Sequence, residues 1–173
     1  MMILIIGKNN SGKSAWAEKL SASLCTGKLY YIATMLPLGD DYAVRIEKHR
    51  RQRENMGFIT IESPYAIANV GKEDTVLLED ISNLVANFKF ELRDSSVMDS
   101  ALKNIGKLKE KSKNLIAVSI DGLEEGDGKN LETKDYIAIL KNVNSALKEL
   151  ADTVIEMENR QSVLKKGILP CVF

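Results

Sequence analysis

The stretch LIIGKNNSGKSAWAEKL, residues 4–20, spaces Gly7 from Gly12 by four residues and follows the second glycine at once with Lys13 and Ser14. That pattern suits a phosphate-binding loop, in which glycines let the backbone turn tightly and successive N–H groups converge on phosphate oxygens. Lys13 would reach the terminal phosphates of a nucleoside triphosphate, and Ser14 would place its hydroxyl on Mg²⁺. Lys8, Asn9, Asn10 and Ser11 would shape the turn between them. Such loops work with an acidic residue at the end of a neighbouring strand. TVLLEDISN, residues 75–83, offers Glu79 and Asp80 at the end of an apolar run. Adjacent strand residues point to opposite faces, so one acid is expected to face the nucleotide, and Glu79 is the one assigned to it. Capping of the following helix is the competing use of both.

A second cluster lies in DDYAVRIEKHRRQRE, residues 40–54, which holds the single histidine of the chain. On a helix Arg45, His49 and Arg53 share one face. Arginines around an imidazole favour its neutral form with a free lone pair, and their forks suit phosphate oxygens. The segment fits a histidine nucleophile attacking phosphorus, and equally a solvated surface helix.

These residues must be positioned by a fold. At 173 residues the chain is the size of one domain, taken as residues 1–173. Short β-branched runs alternate with segments of helical period, which argues for an α/β domain with a parallel sheet. Strands are expected at 2–6, 28–34, 58–62, 75–81, 114–120 and 152–158, with a last one at 167–173. Helices are expected at 13–24, 40–54, 82–91, 96–112 and 133–150. With the glycine loop after the first strand, this is a P-loop NTPase-like (RecA-like) arrangement, a mostly parallel sheet flanked by helices. The glycine- and acid-rich stretch DGLEEGDGKN, 121–130, reads as a connection beyond a strand end, where open α/β sheets also place functional loops.

Lys plus Arg and Asp plus Glu both number 24, so no global charge advertises nucleic acid or an anionic membrane. Two cysteines, Cys25 and Cys171, and one histidine are too few for a zinc or iron–sulfur site, and both thiols are expected to be reduced and buried. The apolar run 1–6 has neither the basic flank nor the length of a signal peptide, so a cytoplasmic protein is expected.

Several stretches together resemble, in order, the bifunctional adenosylcobinamide kinase and adenosylcobinamide-phosphate guanylyltransferase family of the cobalamin assembly pathway. MMILIIGKNNSGKSAWAE resembles the family's first strand and loop, which usually reads Gly-Gly-Ala-Arg-Ser-Gly-Lys-Ser. YYIAT, 30–34, resembles its second strand. DDYAVRIEKHRRQR resembles its Asp-x-Glu-Met-x-x-Arg-Ile-x-x-His-Arg-x-x-Arg segment, and TIESP, 60–64, and LLEDISNLVAN, 77–87, follow. The likeness is strong over roughly the first 90 residues.

The resemblance implies two reactions. A phosphoryl group passes to a corrinoid side-chain hydroxyl, and GMP then passes from GTP to the corrinoid phosphate through a GMP-histidine. It makes His49 the nucleophile. It places Ala33, Thr34 and Met35 along the nucleotide site, and Arg50, Arg51, Gln52 and Arg53 beside the attached GMP. Glu62 and Glu79 would serve guanosine or metal, a carboxylate being the natural partner of guanine's N1–H and N2–H₂. Mg²⁺, ATP or GTP, a corrinoid acceptor and a homotrimer are implied with them.

The second half departs from the family's pattern. Where the family has Asn-Glu-Val-Gly-x-Gly, this chain has SIDGLEEGDGKN, with Asp121 the acid standing near the family's glutamate. Where the family has Arg-x-Phe-Arg-Asp-x-x-Gly-x-x-Asn-Gln, the chain has KDYIAILKNVNSALKELAD, so Tyr136-Ile137-Ala138 replaces Phe-Arg-Asp, Lys141 replaces the glycine, and Asn144 is kept. Two other readings therefore stand beside the bifunctional transferase: a nucleotide-binding regulatory or partner protein, and a kinase without the guanylyl step.

Overall fold

The computed structural model of the chain describes residues 1–36, 53, 55–124 and 130–170. Among the described residues seven strands form one sheet in the order β3-β2-β4-β5-β1-β6-β7. They are β1 (Met2–Gly7), β2 (Leu29–Ala33), β3 (Phe58–Glu62), β4 (Thr75–Glu79), β5 (Asn114–Ile120), β6 (Thr153–Glu158) and β7 (Gln161–Lys166). The described helices are α1 (Lys13–Leu24), α2 (Ile81–Ala86), α3 (Val97–Lys111) and α4 (Leu131–Leu150), with α2 running on into a wider π-type turn over Asn87–Glu91.

β1 is an inner strand of the sheet. It pairs in parallel with β5 on one side and β6 on the other, and all six of its residues are buried. Alternate side chains go to opposite faces. Met2, Leu4 and Ile6 join Leu84, Ile105 and Leu147 in a core under α2, α3 and α4. Ile3 and Ile5 join Ala17 and Leu20 of α1 on the other face. Each such fully buried Leu or Ile is worth about 1.5–3 kcal/mol relative to exposure, so this strand is a firm base for the loop that follows it. Burial on both faces is why it reads as an unbroken apolar run rather than an alternating one.

The helices follow their apolar spacing. Val97, Ala101, Ile105 and Leu108 are the buried face of α3, and Ile137, Leu140, Val143 and Leu147 that of α4. Asn130 caps α4 by accepting from the Thr133 N–H at 2.8 Å.

Among the described residues the expected strands and helices are found within a few residues, with two differences. Asp80 caps α2, so β4 stops at Glu79 rather than 81. The last described strand is β7 at Gln161–Lys166, antiparallel to β6, and residues 167–170 of the strand expected at 167–173 are not in a strand. Its turn is Asn159-Arg160, both at positive φ (49° and 65°), which is the two-residue type I′ hairpin without the glycine that would announce it. The strand ends before Gly167, whose φ is 80°; 171–173 lie outside the described residues. The expected helix 40–54 also lies outside them, except Arg53. Cys25 is half-exposed rather than buried, and its thiol donates to the Gly27 carbonyl at 3.3 Å. Cys171 lies outside the described residues. No described helix is long and apolar enough to cross a membrane.

Candidate functional site

The glycine loop leaves β1 at Gly7, where a Cβ would stand 2.6 Å from the Met157 carbonyl oxygen of β6. Only glycine fits there, because β6 comes in beside the loop. Asn10 turns the chain at φ 59° and Gly12 turns it again at φ 91°, immediately before α1 begins with Lys13. The first helical hydrogen bond runs from the Trp16 N–H to the Gly12 carbonyl at 3.1 Å. The N–H groups ahead of it are the ones a helix leaves for an anion.

Lys13 is 8% exposed, and its ammonium donates to the Lys8 carbonyl at 2.6 Å. Burial lowers its pKa, and the charges of Asp80 and Glu79 act against that. The Ser14 hydroxyl donates to Glu79 Oε1, joining α1 to the end of β4. Glu79 Oε2 is buried and has no hydrogen-bond partner among the described residues. Burial pushes the Glu79 carboxyl up to about 7; the Ser14 bond opposes this, the Asp80 and Glu18 charges add to it, and Arg53 opposes it.

Asp80 does not simply point away. It caps α2, accepting from the Ser82 hydroxyl at 2.6 Å and the Asn83 N–H at 2.7 Å, yet its charge still bears on Lys13. Burial raises its pKa against those bonds and against Lys13.

Mg²⁺ was the cation the sequence implied, and the donors fit it. A hydroxyl and a carboxylate with a spare buried oxygen form an all-oxygen set of the kind Mg²⁺ takes. Among the described residues no group of three or more His, Cys, Asp or Glu could hold a metal. Mg²⁺ characteristically uses one or two protein oxygens with water and phosphate, so this small set is sufficient.

β-register sets the rest of the rim. Ala33 pairs with Glu62 on one side and Glu79 on the other, so the three lie in a row across β3, β2 and β4 at the carboxyl edge of the sheet. Strands are spaced about 4.8 Å apart, which separates the two glutamates' backbones by roughly 10 Å. Glu62 is exposed, and Ala33 and Met35 are half-buried. Thr34 is wholly buried: its hydroxyl donates to the Asp80 carbonyl at 2.8 Å and accepts from the Asp80 N–H at 2.7 Å. It clamps the end of β4. Asn87, which sequence reasoning missed, donates to the Thr34 and Pro64 carbonyls at 2.7 and 2.8 Å. One buried amide thus ties together the segments that leave β2 and β3.

Arg53 is 6% exposed, with its guanidinium carbon 3.5 Å from the centre of the Tyr31 ring and Nη1 3.8 Å from Glu18 Oε1. Its Nε and Nη1 have no hydrogen-bond partner among the described residues. Burial raises the Glu18 pKa and Arg53 lowers it; burial also raises that of the Tyr31 hydroxyl. Glu18 was not foreseen, although it lies four residues after Ser14 on the same helix. His49, Arg45, Arg50, Arg51 and Gln52 lie outside the described residues.

In the second half, Asn144 accepts from the Ser119 hydroxyl at 2.7 Å and donates to the Ile120 carbonyl at 2.9 Å, fastening α4 to the end of β5. Asp121 accepts from Lys148 at 2.8 Å. The Tyr136 hydroxyl donates to the Ser82 carbonyl at 3.2 Å.

A cleft of about 790 Å³ opens over the loop, lined by Asn10, Ser11, Gly12, Lys13 and Ser14 together with Trp16, Glu18, Met56, Met157 and Arg160. Its size is that of a small-molecule site.

Residues 3–162 match the sequence profile of the family described as cobinamide kinase / cobinamide phosphate guanyltransferase. The chain belongs to this family. The bifunctional adenosylcobalamin biosynthesis protein CobU of Escherichia coli (strain K12) is 36% identical over 96 residues, which are 53% of this chain and 51% of that protein. The protein of the same name from Salmonella typhimurium (strain LT2) is 36% identical over 97 residues, 53% of this chain and 52% of its own length. The chain thus spans about half the length of the curated relatives it matches. The KaiC-like protein PH0186 of Pyrococcus horikoshii OT3 shares the fold, with a TM-score of 0.51 over 96% of this chain and 79% of its own at 10% identity. The family match reaches well into the second half, where the expected family residues are replaced.

Proposed function

We propose that this chain is a nucleotide-dependent transferase of cobalamin biosynthesis, which phosphorylates adenosylcobinamide and transfers GMP from GTP to adenosylcobinamide phosphate through a GMP-histidine at His49. The observation that carries the reading is the convergence of Lys13, Ser14 and Glu79 at the carboxyl end of a parallel sheet, in a member of this family.

The loop N–H groups and Lys13 bind the phosphate chain of ATP or GTP, and the buried ammonium offsets charge that builds on the leaving oxygens. Ser14 and Glu79 would hold Mg²⁺, which when bound would neutralise and polarise the phosphates. In the first reaction the corrinoid hydroxyl oxygen bonds to the γ-phosphorus as the bond to the β-phosphate oxygen breaks, and the nucleoside diphosphate leaves. In the second, an imidazole nitrogen of His49 bonds to the α-phosphorus of GTP and pyrophosphate leaves; a corrinoid phosphate oxygen then displaces the imidazole. Glu62 and Glu79, in one row with Ala33 between them, offer carboxylates to guanine donors or to the metal. Thr34 and Met35 continue that rim, and Thr34 acts by holding it in place. Arg53 follows His49 by four residues, and its seat on Tyr31 and Glu18 fixes where the chain leaves the histidine-bearing segment. Arg50, Arg51 and Gln52 flank the attached GMP in this reading. The enzyme is cytoplasmic and a homotrimer, as in the family.

Incubation with α-labelled GTP and Mg²⁺ tests the reading. The expected product carries an acid-labile, base-stable label that maps to residues 45–53 and is absent from His49→Asn. Equal labelling of His49→Asn would remove the nucleophile assignment. Bound GTP without label, together with phosphorylation of cobinamide, would leave a kinase alone; binding with neither would leave a nucleotide-binding partner protein.

A further inference from the structure

The β6–β7 hairpin stands beside the phosphate loop, on the opposite side of β1 from β4 and Glu79. Its tip is Asn159-Arg160, between the paired residues Glu158 and Gln161. A type I′ turn needs φ > 0 at both central residues, and Asn-Gly is the pair that meets this with least strain. The chain has arginine at the second position, at φ 65°, a conformation that L side chains rarely adopt. An arginine kept where the turn asks for glycine calls for a gain elsewhere.

The gain is in the cleft. A Cβ on Gly12 would lie 3.5 Å from Arg160 Cγ and 3.7 Å from its Cα, so the hairpin tip packs on the residue that opens α1. Arg160 lines the cleft there together with Lys13 and Lys19. Glu18, the acid lining the same cleft, pairs with Arg53, while Glu158 beside the turn pairs with Lys165. The Ser11 hydroxyl, 8% exposed, lines this cleft and has no hydrogen-bond partner among the described residues. Among its described lining residues the cleft therefore presents an unspent donor and more cations than anions, which is a setting for an anionic chain.

We propose that Arg160 is a ligand of the nucleotide, its guanidinium gripping the phosphate chain from the hairpin side while Lys13 and the loop hold it from below. This rests on the nucleotide-binding reading above. A planar fork can bond two phosphate oxygens at once, which a lysine at the same place could do only as a point charge. The antiparallel pairing to β6 fixes the tip, so little ordering of the backbone opposes the contact.

The test compares wild type, Arg160→Gly, Arg160→Lys and Lys13→Ala. Arg160→Gly restores the pair the turn prefers, so the free protein should unfold at the same temperature as wild type or higher. GTP and ATP affinity, followed with Mg²⁺ by calorimetry and by the fluorescence of Trp16, the single tryptophan, should fall at least tenfold. Arg160→Lys should recover part of it. The dependence of log Kd on log salt should be shallower in Arg160→Gly than in wild type, as expected for one fewer cation on phosphate. Wild-type affinity and salt dependence in Arg160→Gly, with binding lost in Lys13→Ala, would overturn the role of Arg160 and leave the nucleotide site standing. Failure of wild type itself to bind GTP or ATP would remove the underlying reading and this role with it.

Discussion

Glu79→Gln should change how stability depends on pH more than it changes stability itself. The Glu79 carboxyl is raised from its ordinary value of 4.5 to about 7, chiefly by burial. Between those values the folded protein holds a proton that the unfolded chain releases. The group's favourable contribution is therefore complete below pH 4.5 and is lost as pH climbs through 7. Loss of the whole rise corresponds to about 3 kcal/mol. Gln keeps an oxygen to accept from Ser14 but sets an amide donor where Oε2 lies buried without a partner, at a pH-independent cost of about 1–3 kcal/mol. The raised carboxyls of Asp80 and Glu18 remain in both proteins and largely cancel in the difference. In EDTA, the gap in stability between variant and wild type should thus shift in favour of the variant by up to about 3 kcal/mol between pH 4.5 and pH 8.5. For a chain of 173 residues that is roughly 6–12 °C in Tm, read from unfolding scans at half-unit pH steps. Parallel Tm–pH curves for the two proteins would refute the argument, since the carboxyl would then titrate alike in both states.

Asn87→Ala removes the amide that donates to two buried carbonyls, and should cost about 2–4 kcal/mol in urea unfolding; a loss under about 1 kcal/mol would mean that water replaces it readily. Gly7→Ala drives a Cβ to 2.6 Å from the Met157 carbonyl, so β6 must shift. A loss of about 1–3 kcal/mol by thermal unfolding, with weakened GTP binding by calorimetry, is expected, and an unchanged Tm would show that β6 yields freely.

The parts of the site that the sequence made legible are those whose chemistry is local. Gly7, Gly12, Lys13 and Ser14 are close in the chain, and a strand, a turn and a helix N-terminus are enough to place them. Glu79 was assigned to the nucleotide side as an acid at the end of an apolar strand, with helix capping as the competing use, and in the structure the capping falls to Asp80. Glu79's partner Ser14 is 65 positions away, and only the sheet order, which puts β4 beside β5 and β5 beside β1, brings α1 over it. Asn87 closes the LLEDISNLVAN stretch that resembles the family, yet nothing there told its role. Its two acceptors are backbone carbonyls, which carry no trace in residue identity, so a structural amide there looks like any polar residue after a helix.

Thr34 and Arg160 show the same limit from opposite directions. Thr34 belongs to a stretch that resembles a nucleotide-binding segment, but its hydroxyl is consumed by both backbone groups of Asp80, so it serves the site by fixing the peptide next to Glu79. Arg160 lies in a hairpin that periodicity did not reveal, because the turn lacks glycine and β7 is an exposed edge with little apolar alternation. The missing glycine that hid the hairpin is also the feature that gives Arg160 a purpose. A turn built for least strain would have been readable in the sequence, and it would have left the hairpin side of the cleft without a cation.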